Sequence, residues 1–190
     1  MELQPFNPRH APVIASWIPD SAALRIVSID GESVISPDLI LRWVERADHP
    51  FMLLLEPDAP PVAYGELVFP RDTPTIQARH VIVDPRYRGR GYGWTTIERL
   101  GHAAHARFGF EHLDMSVDAS NDFAVAMLAA MGFATIGQRV LVAPDATSQI
   151  LVLDLAARLP LRPYQHRNMP IPTIDDKPGY GQGLRSGQNG

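Results

Sequence analysis

The chain of 190 residues contains no cysteine, which excludes disulfides and thiolate metal ligands. It lacks any apolar run near the roughly 20 residues that a membrane span needs, and Met1-Glu2-Leu3-Gln4-Pro5 does not open a signal peptide. A cytoplasmic address with no membrane partner is the expectation. Excess positive charge is also missing, with 17 Lys and Arg against 21 Asp and Glu for a formal net charge of -4. A general nucleic-acid binder carries a basic footprint, so no nucleic-acid partner is expected and any cationic site must be local. What is present is an ordinary globular composition, 45% apolar and 20% charged, long enough for one domain with a full core.

The pattern along the chain alternates strands and helices. A short apolar start at 3–6 precedes a helical stretch over 9–17, bounded by Pro12 and Pro19. Ser36-Pro37-Asp38 predicts a helix start, with a capping hydroxyl, proline at the first position and an acid in the first turn. Leu39, Ile40, Trp43, Val44 and Ala47 then share one face. Apolar runs at 51–55 and 62–69 flank Pro57-Asp58-Ala59-Pro60-Pro61 and predict a hairpin, followed by a strand over 76–83. A helix with Trp94, Ile97, Gly101, Ala104 and Phe108 on its inner face ends at Gly109. A strand over 113–117, a helix over 121–131 stopped by Gly132, and a strand pair at 133–142 and 149–155 complete the order. Past Leu159 the composition turns to proline, glycine and polar residues, which predicts a domain over 1–159 and a tail over 160–190. That tail is compatible with disorder, with covering a cleft, or with pairing into a homodimer.

The informative segment is Arg88-Gly89-Arg90-Gly91-Tyr92-Gly93, between a strand and a helix. Successive glycines expose N–H groups and permit positive φ, so such a loop suits a phosphate, and Arg86, Arg88 and Arg90 add guanidinium groups in an otherwise acidic chain. A Walker loop would need Lys and then Ser or Thr, but Gly93 precedes Trp94; a dinucleotide fingerprint would need glycine where Trp94 stands. A plain turn is the remaining alternative.

Arg88, Gly91 and Gly93 resemble the signature of the GNAT superfamily of acyl-CoA N-acyltransferases: Arg or Gln, two residues, Gly, one residue, then Gly or Ala. A second segment is similar as well, through Asn121, Ala124, Gly132 and Phe133. The resemblance spans about residues 1 to 155 and implies an α/β (mixed α+β) fold, with a mixed, mostly antiparallel sheet of six or seven strands flanked by about four helices. It implies acetyl-CoA as co-substrate, with backbone groups of Val81 and Val83 on the pantetheine arm. The N–H groups of Gly89, Arg90, Gly91, Tyr92, Gly93 and Trp94 would take the pyrophosphate beside Arg88. Ile82 or Val83 would supply the N–H for the developing oxyanion. Asn121 would lie near the reactive end of the cofactor, a role compatible with its reading as a helix N-cap.

Catalytic positions used by many members depart here, with Leu128 in place of a tyrosine, Gln77 in place of a glutamate or histidine, and Ser116 in place of a glutamate. Glu66 is the remaining candidate base. It competes with a reading as a solvated strand acid or a partner for Arg79. His80 falls in the opposite strand phase to Gln77 and Arg79 and reads as a core or edge histidine. Asp118 reads as a substrate ligand or a turn cap. His102, His105 and His112 read as surface rather than as a metal site, so no metal is expected. Trp17, Trp43 and Trp94 read as core.

The expected function is transfer of an acetyl group to the amine of a small molecule by direct attack in a ternary complex. Acetylation of a protein or peptide N-terminus or lysine is the alternative within the same chemistry, and acetyl-CoA binding with little catalysis the alternative outside it. Asp20, Asp30, Glu32 and Asp38 lie where the family's acceptor lid falls and read as attracting a cationic amine or as solvated loop charges.

Overall fold

The computed structural model describes residues 1–28, 30, 32, 34–69, 75–143 and 146–156. The tail expected over 160–190 lies outside them. Its strands are β1 (Glu2–Pro5), β2 (His49–Leu54), β3 (Ala63–Val68), β4 (Ile76–Val83), β5 (His112–Asp118), β6 (Ala134–Ala143) and β7 (Ala146–Ala156). They form one sheet in the order β1-β2-β3-β4-β5-β7-β6, antiparallel throughout except where β4 meets β5. Helices α1 (Ala11–Ser16), α2 (Ser21–Val27) and α3 (Pro37–Arg46) pack on one face, and α4 (Tyr92–Phe108) and α5 (Asp122–Met131) on the other. This is the expected mixed fold. No helix among the described residues is long and apolar enough to cross a membrane.

Most boundaries follow from local chemistry. The Ser36 hydroxyl accepts the Leu39 N–H at 3.1 Å, and Leu39, Ile40 and Trp43 then bury the inner face of α3 completely. Asn121 caps α5 by accepting the Ala124 N–H at 3.1 Å, and Gly109 and Gly132 end α4 and α5 in left-handed conformations. The helix missing from the sequence reading is α2. It buries only Leu24, so its apolar pattern is too sparse to register as periodic, although Asp20 caps it through the Ala23 N–H at 2.8 Å.

One irregularity organises the centre of the sheet. Tyr64 pairs with Ile82 and Glu66 pairs with Arg79, so His80 and Val81 of β4 stand opposite Gly65 alone. His80 takes the extra step with φ 47. Below this bulge Ile76 and Ala78 face α4; beyond it Val81 does, and Ile82 packs towards α1 and α3. Gly65 itself lies under α4, where a Cβ would come within 2.9 Å of Leu100 Cδ1 and 3.4 Å of Thr96 Cγ2. Because Leu100 and Thr96 are fully buried, Gly65→Val is expected to lower stability by about 1–3 kcal/mol in urea unfolding. An unchanged midpoint would mean that α4 can ride higher on the sheet at no cost.

Candidate functional site

β4 ends in a tight turn fixed by Asp84. Its buried carboxylate accepts the Arg86 N–H at 2.9 Å and the Arg86 guanidinium at 2.6 Å. The Arg86 hydrogen bonds outweigh burial and hold this carboxyl below its usual range. Gly89 (φ 74) and Gly91 (φ 83) then carry the chain into α4 through conformations that side chains avoid. The N–H groups of Gly89, Arg90, Gly91, Tyr92 and Gly93 find no hydrogen-bond partner among the described residues, while Trp94 is buried in the core. A helix start with open N–H groups is a fitting seat for a phosphate.

The three arginines divide. Arg86 serves Asp84, and Arg88 donates from Nε to the Val83 carbonyl at 3.2 Å and from Nη2 to the Trp17 carbonyl at 3.1 Å. Both hold the loop in place. Arg90 makes no hydrogen bond among the described residues and lies 5.6 Å from the centre of the Tyr87 ring.

Beside this loop the sheet opens. β4 and β5 pair only where Ile76, Gln77 and Ala78 meet Leu113, Asp114 and Met115, although β4 continues to Val83 and β5 to Asp118. The Asp84 N–H bonds to the Val62 carbonyl at 2.9 Å, and peptide groups alternate sides along a strand. Ile82 therefore turns its N–H to β3, and Val83 turns its own into the gap. Of the two residues expected to offer an oxyanion donor, Val83 is the one with a free direction. Asn121 uses its side-chain oxygen as the cap of α5, which leaves its amide N–H groups, and Leu128 is buried in the core between α5 and the sheet.

On the other face of β4 the bulge assembles a buried polar cluster. Glu66 is 1% exposed, which rules out a solvated acid, and it forms no ion pair with Arg79. One of its oxygens accepts the Tyr64 hydroxyl, and the other meets His80 Nδ1 at 2.8 Å. Burial, then the Glu66 charge, push the Tyr64 hydroxyl upward, so it stays a donor. His80 stacks flat on Trp43, 3.9 Å between ring centres and 6° between planes, and its Nε2 lies 3.8 Å from the Asp30 carboxylate. The expectation that His80 faces away from Arg79 is corrected here. Strand alternation fails at the bulge, and Arg79 and His80 line the same small pocket with Asp30, Trp43, Arg46, Glu66 and Val68. The sequence held one sign of this, Gly65 in the interior of β3, since isolated strand glycines mark bulges.

The lid acids separate in the same way. Burial pushes the Glu32 carboxyl up, but hydrogen bonds from Ser28, Trp43 Nε1 and Arg46 outweigh it and hold the group below its usual range. Asp20 caps α2 and Asp38 stands in the first turn of α3, so Asp30 alone of the four lines the pocket. Asp118 proves to be a turn cap, accepting from Ser120 N at 2.9 Å and Oγ at 2.7 Å. His102 and His105 are exposed and His112 pairs with Asp154 at 3.0 Å. Among the described residues no group of three or more His, Asp or Glu is placed to hold a metal.

Comparison with known proteins adds to this geometry. The profile of the acetyltransferase (GNAT) family matches residues 22–133. No curated protein matches the sequence. Among solved structures, spermidine N-acetyltransferase from Vibrio cholerae in complex with CoA and spermine has a TM-score of 0.69 at 15% identity, over 82% of this chain and 94% of that one. A Salmonella typhimurium protein solved with its cofactor acetyl-CoA has a TM-score of 0.65 at 18% identity, over 82% and 93%. Ribosomal-protein-alanine N-acetyltransferase from Brucella melitensis has a TM-score of 0.66 at 16% identity, over 82% and 99%. Identities this low establish a shared fold, and acceptors as unlike as spermidine and a ribosomal protein occur on it.

The Asp84 turn yields a pH-dependent expectation. A depressed folded-state pKa contributes stability that is complete above the unfolded value and is lost as pH falls through the folded one. Asp84→Ala is therefore expected to lower stability at neutral pH by about 0.5–2 kcal/mol, the usual cost of a lost cap. The difference from wild type should shrink below about pH 4, as followed by thermal unfolding across a pH series; a difference constant with pH would mean that the carboxylate charge plays no part.

Proposed function

The chain belongs to the acetyltransferase (GNAT) family, and on that premise we propose that it transfers an acetyl group from acetyl-CoA to the amine of a small molecule by direct attack in a ternary complex. The family's donor is acetyl-CoA. The observation that carries the reading is the gap between β4 and β5, bordered by the open N–H groups that lead into α4. In this reading Gly89 to Trp94 and Arg90 receive the pyrophosphate, Arg88 holds their loop, and Val81 and Val83 bind the pantetheine arm. The amide of Asn121 reaches the reactive end.

The acceptor must attack as a neutral amine, although a free alkylammonium has a pKa of about 10.4. Glu66 takes that proton, directly or through His80, whose ring bridges Glu66 and Asp30. The Val83 N–H receives the charge that grows on the carbonyl oxygen. The bond from carbonyl carbon to sulfur then breaks. A thiol of pKa about 8.5 is a fair leaving group, which is consistent with an apolar Leu128 where relatives keep an acid. The proton that the nitrogen sheds on becoming an amide passes through water to the thiolate.

Release of free thiol from acetyl-CoA across a panel of amines is the expected result; acetyl-CoA binding without turnover of any amine would instead favour a binding protein. Glu66→Gln is expected to lower turnover at neutral pH by roughly 10²- to 10⁴-fold with acetyl-CoA affinity retained. An unchanged pH–rate profile in this variant would remove Glu66 from the mechanism.

A further inference from the structure

The pocket beside Glu66 contains two cations that a site for a simple amine does not need. Arg79 stands next to Glu66 in the β3/β4 register but turns away from it, since Glu66 is engaged by Tyr64 and His80. Its Nε and Nη2 both donate to the Gln77 side-chain oxygen, at 3.0 and 2.7 Å. That bond fixes the guanidinium on the sheet face and leaves both Nη1 hydrogens without a partner among the described residues. Among the described residues Arg79 has no carboxylate within ion-pair distance. It is half-buried and lines the pocket. Arg46 lines it too, held by Glu32 through a single contact at 3.0 Å.

A polyamine would meet these guanidinium groups on its way to Glu66 and be repelled. An acceptor bearing a negative group near its amine would pair with Arg79, whose planar fork suits a carboxylate, while its amine lay against Glu66, His80 and Asp30. We infer that the acceptor carries a carboxylate beside its amine, as an amino acid does, and that Arg79 binds that carboxylate. This rests on the acetyl-transfer reading above and names its acceptor class. It also replaces the acidic lid as the basis of selection, because Glu32, Asp20 and Asp38 are engaged elsewhere and Asp30 is left to meet the amine.

The test uses the full chain with acetyl-CoA and matched acceptors: leucine against isoamylamine, phenylalanine against phenethylamine, and spermidine as the cationic extreme. Thiol release gives kcat and KM, and calorimetry with CoA present gives binding of the same compounds without turnover. The amino acid of each pair should be favoured by about 10- to 100-fold, through KM rather than kcat, as expected for a charge-assisted pair. Arg79→Ala should bring the ratio within each pair close to one, and Arg79→Lys should restore part of it. If Arg79→Ala does not fold, the wild-type ratio alone decides. Equal or better use of the amines or spermidine by wild type, or a preference that survives Arg79→Ala, overturns the inference and leaves acetyl transfer standing. Arg79-dependent binding of the amino acids with no thiol release supports the acceptor class and overturns acetyl transfer. Neither release nor binding overturns both.

Discussion

Between Arg79 and Ile82, β4 accommodates one residue more than its neighbour β3 provides for, and most of the site depends on how that excess is absorbed. The strand reverses which of its side chains face α4. Its hydrogen bonds to β5 stop below the same point, which opens the sheet beside the loop before α4. Gly65, opposite the excess, removes the side chain that would hold α4 off the sheet. The polar pocket and the helix that follows the glycine-rich loop thus occupy opposite faces of the sheet, connected through the few residues where β4 departs from regularity.

Much of the fold was legible because its signals are local. Ser36-Pro37-Asp38, Gly109, Asn121 and Gly132 start or end helices through contacts within a few residues, and such contacts can be read from sequence. Helix α2 was not legible because a single buried leucine makes no pattern. His80 is the core histidine that was expected, but its facing relative to Arg79 was misread for a different reason. Alternation predicts facing only while a strand keeps its register with its partner, and the break at Gly65 is a property of two strands together. Glu66 stood out in the sequence as a candidate, but its partners, Tyr64 and His80, follow from that same break.

Charge was legible in amount and not in use. Three arginines around the loop read as three phosphate ligands, yet two are bonded to Asp84, Val83 and Trp17. Four lid acids read as an attraction for cations, yet one is held by Ser28, Trp43 and Arg46 and two stand at helix starts. A charged residue in a folded chain first meets the nearest unsatisfied backbone or side-chain group. Only those that find none, or are held short of one as Arg79 is by Gln77, remain available to a ligand.

The backbone of His80 has its own consequence. A residue with a side chain at φ 47 inside a strand carries a local cost of about 1–3 kcal/mol, and glycine would take the same turn more cheaply. The histidine persists because its ring is clamped between Trp43 of α3 and Glu66 of β3. A helix that shares no backbone pairing with β4 therefore stabilises the shape of that strand through one stacked ring. A change at either Trp43 or His80 would thus alter the course of the strand along with the lining of the pocket.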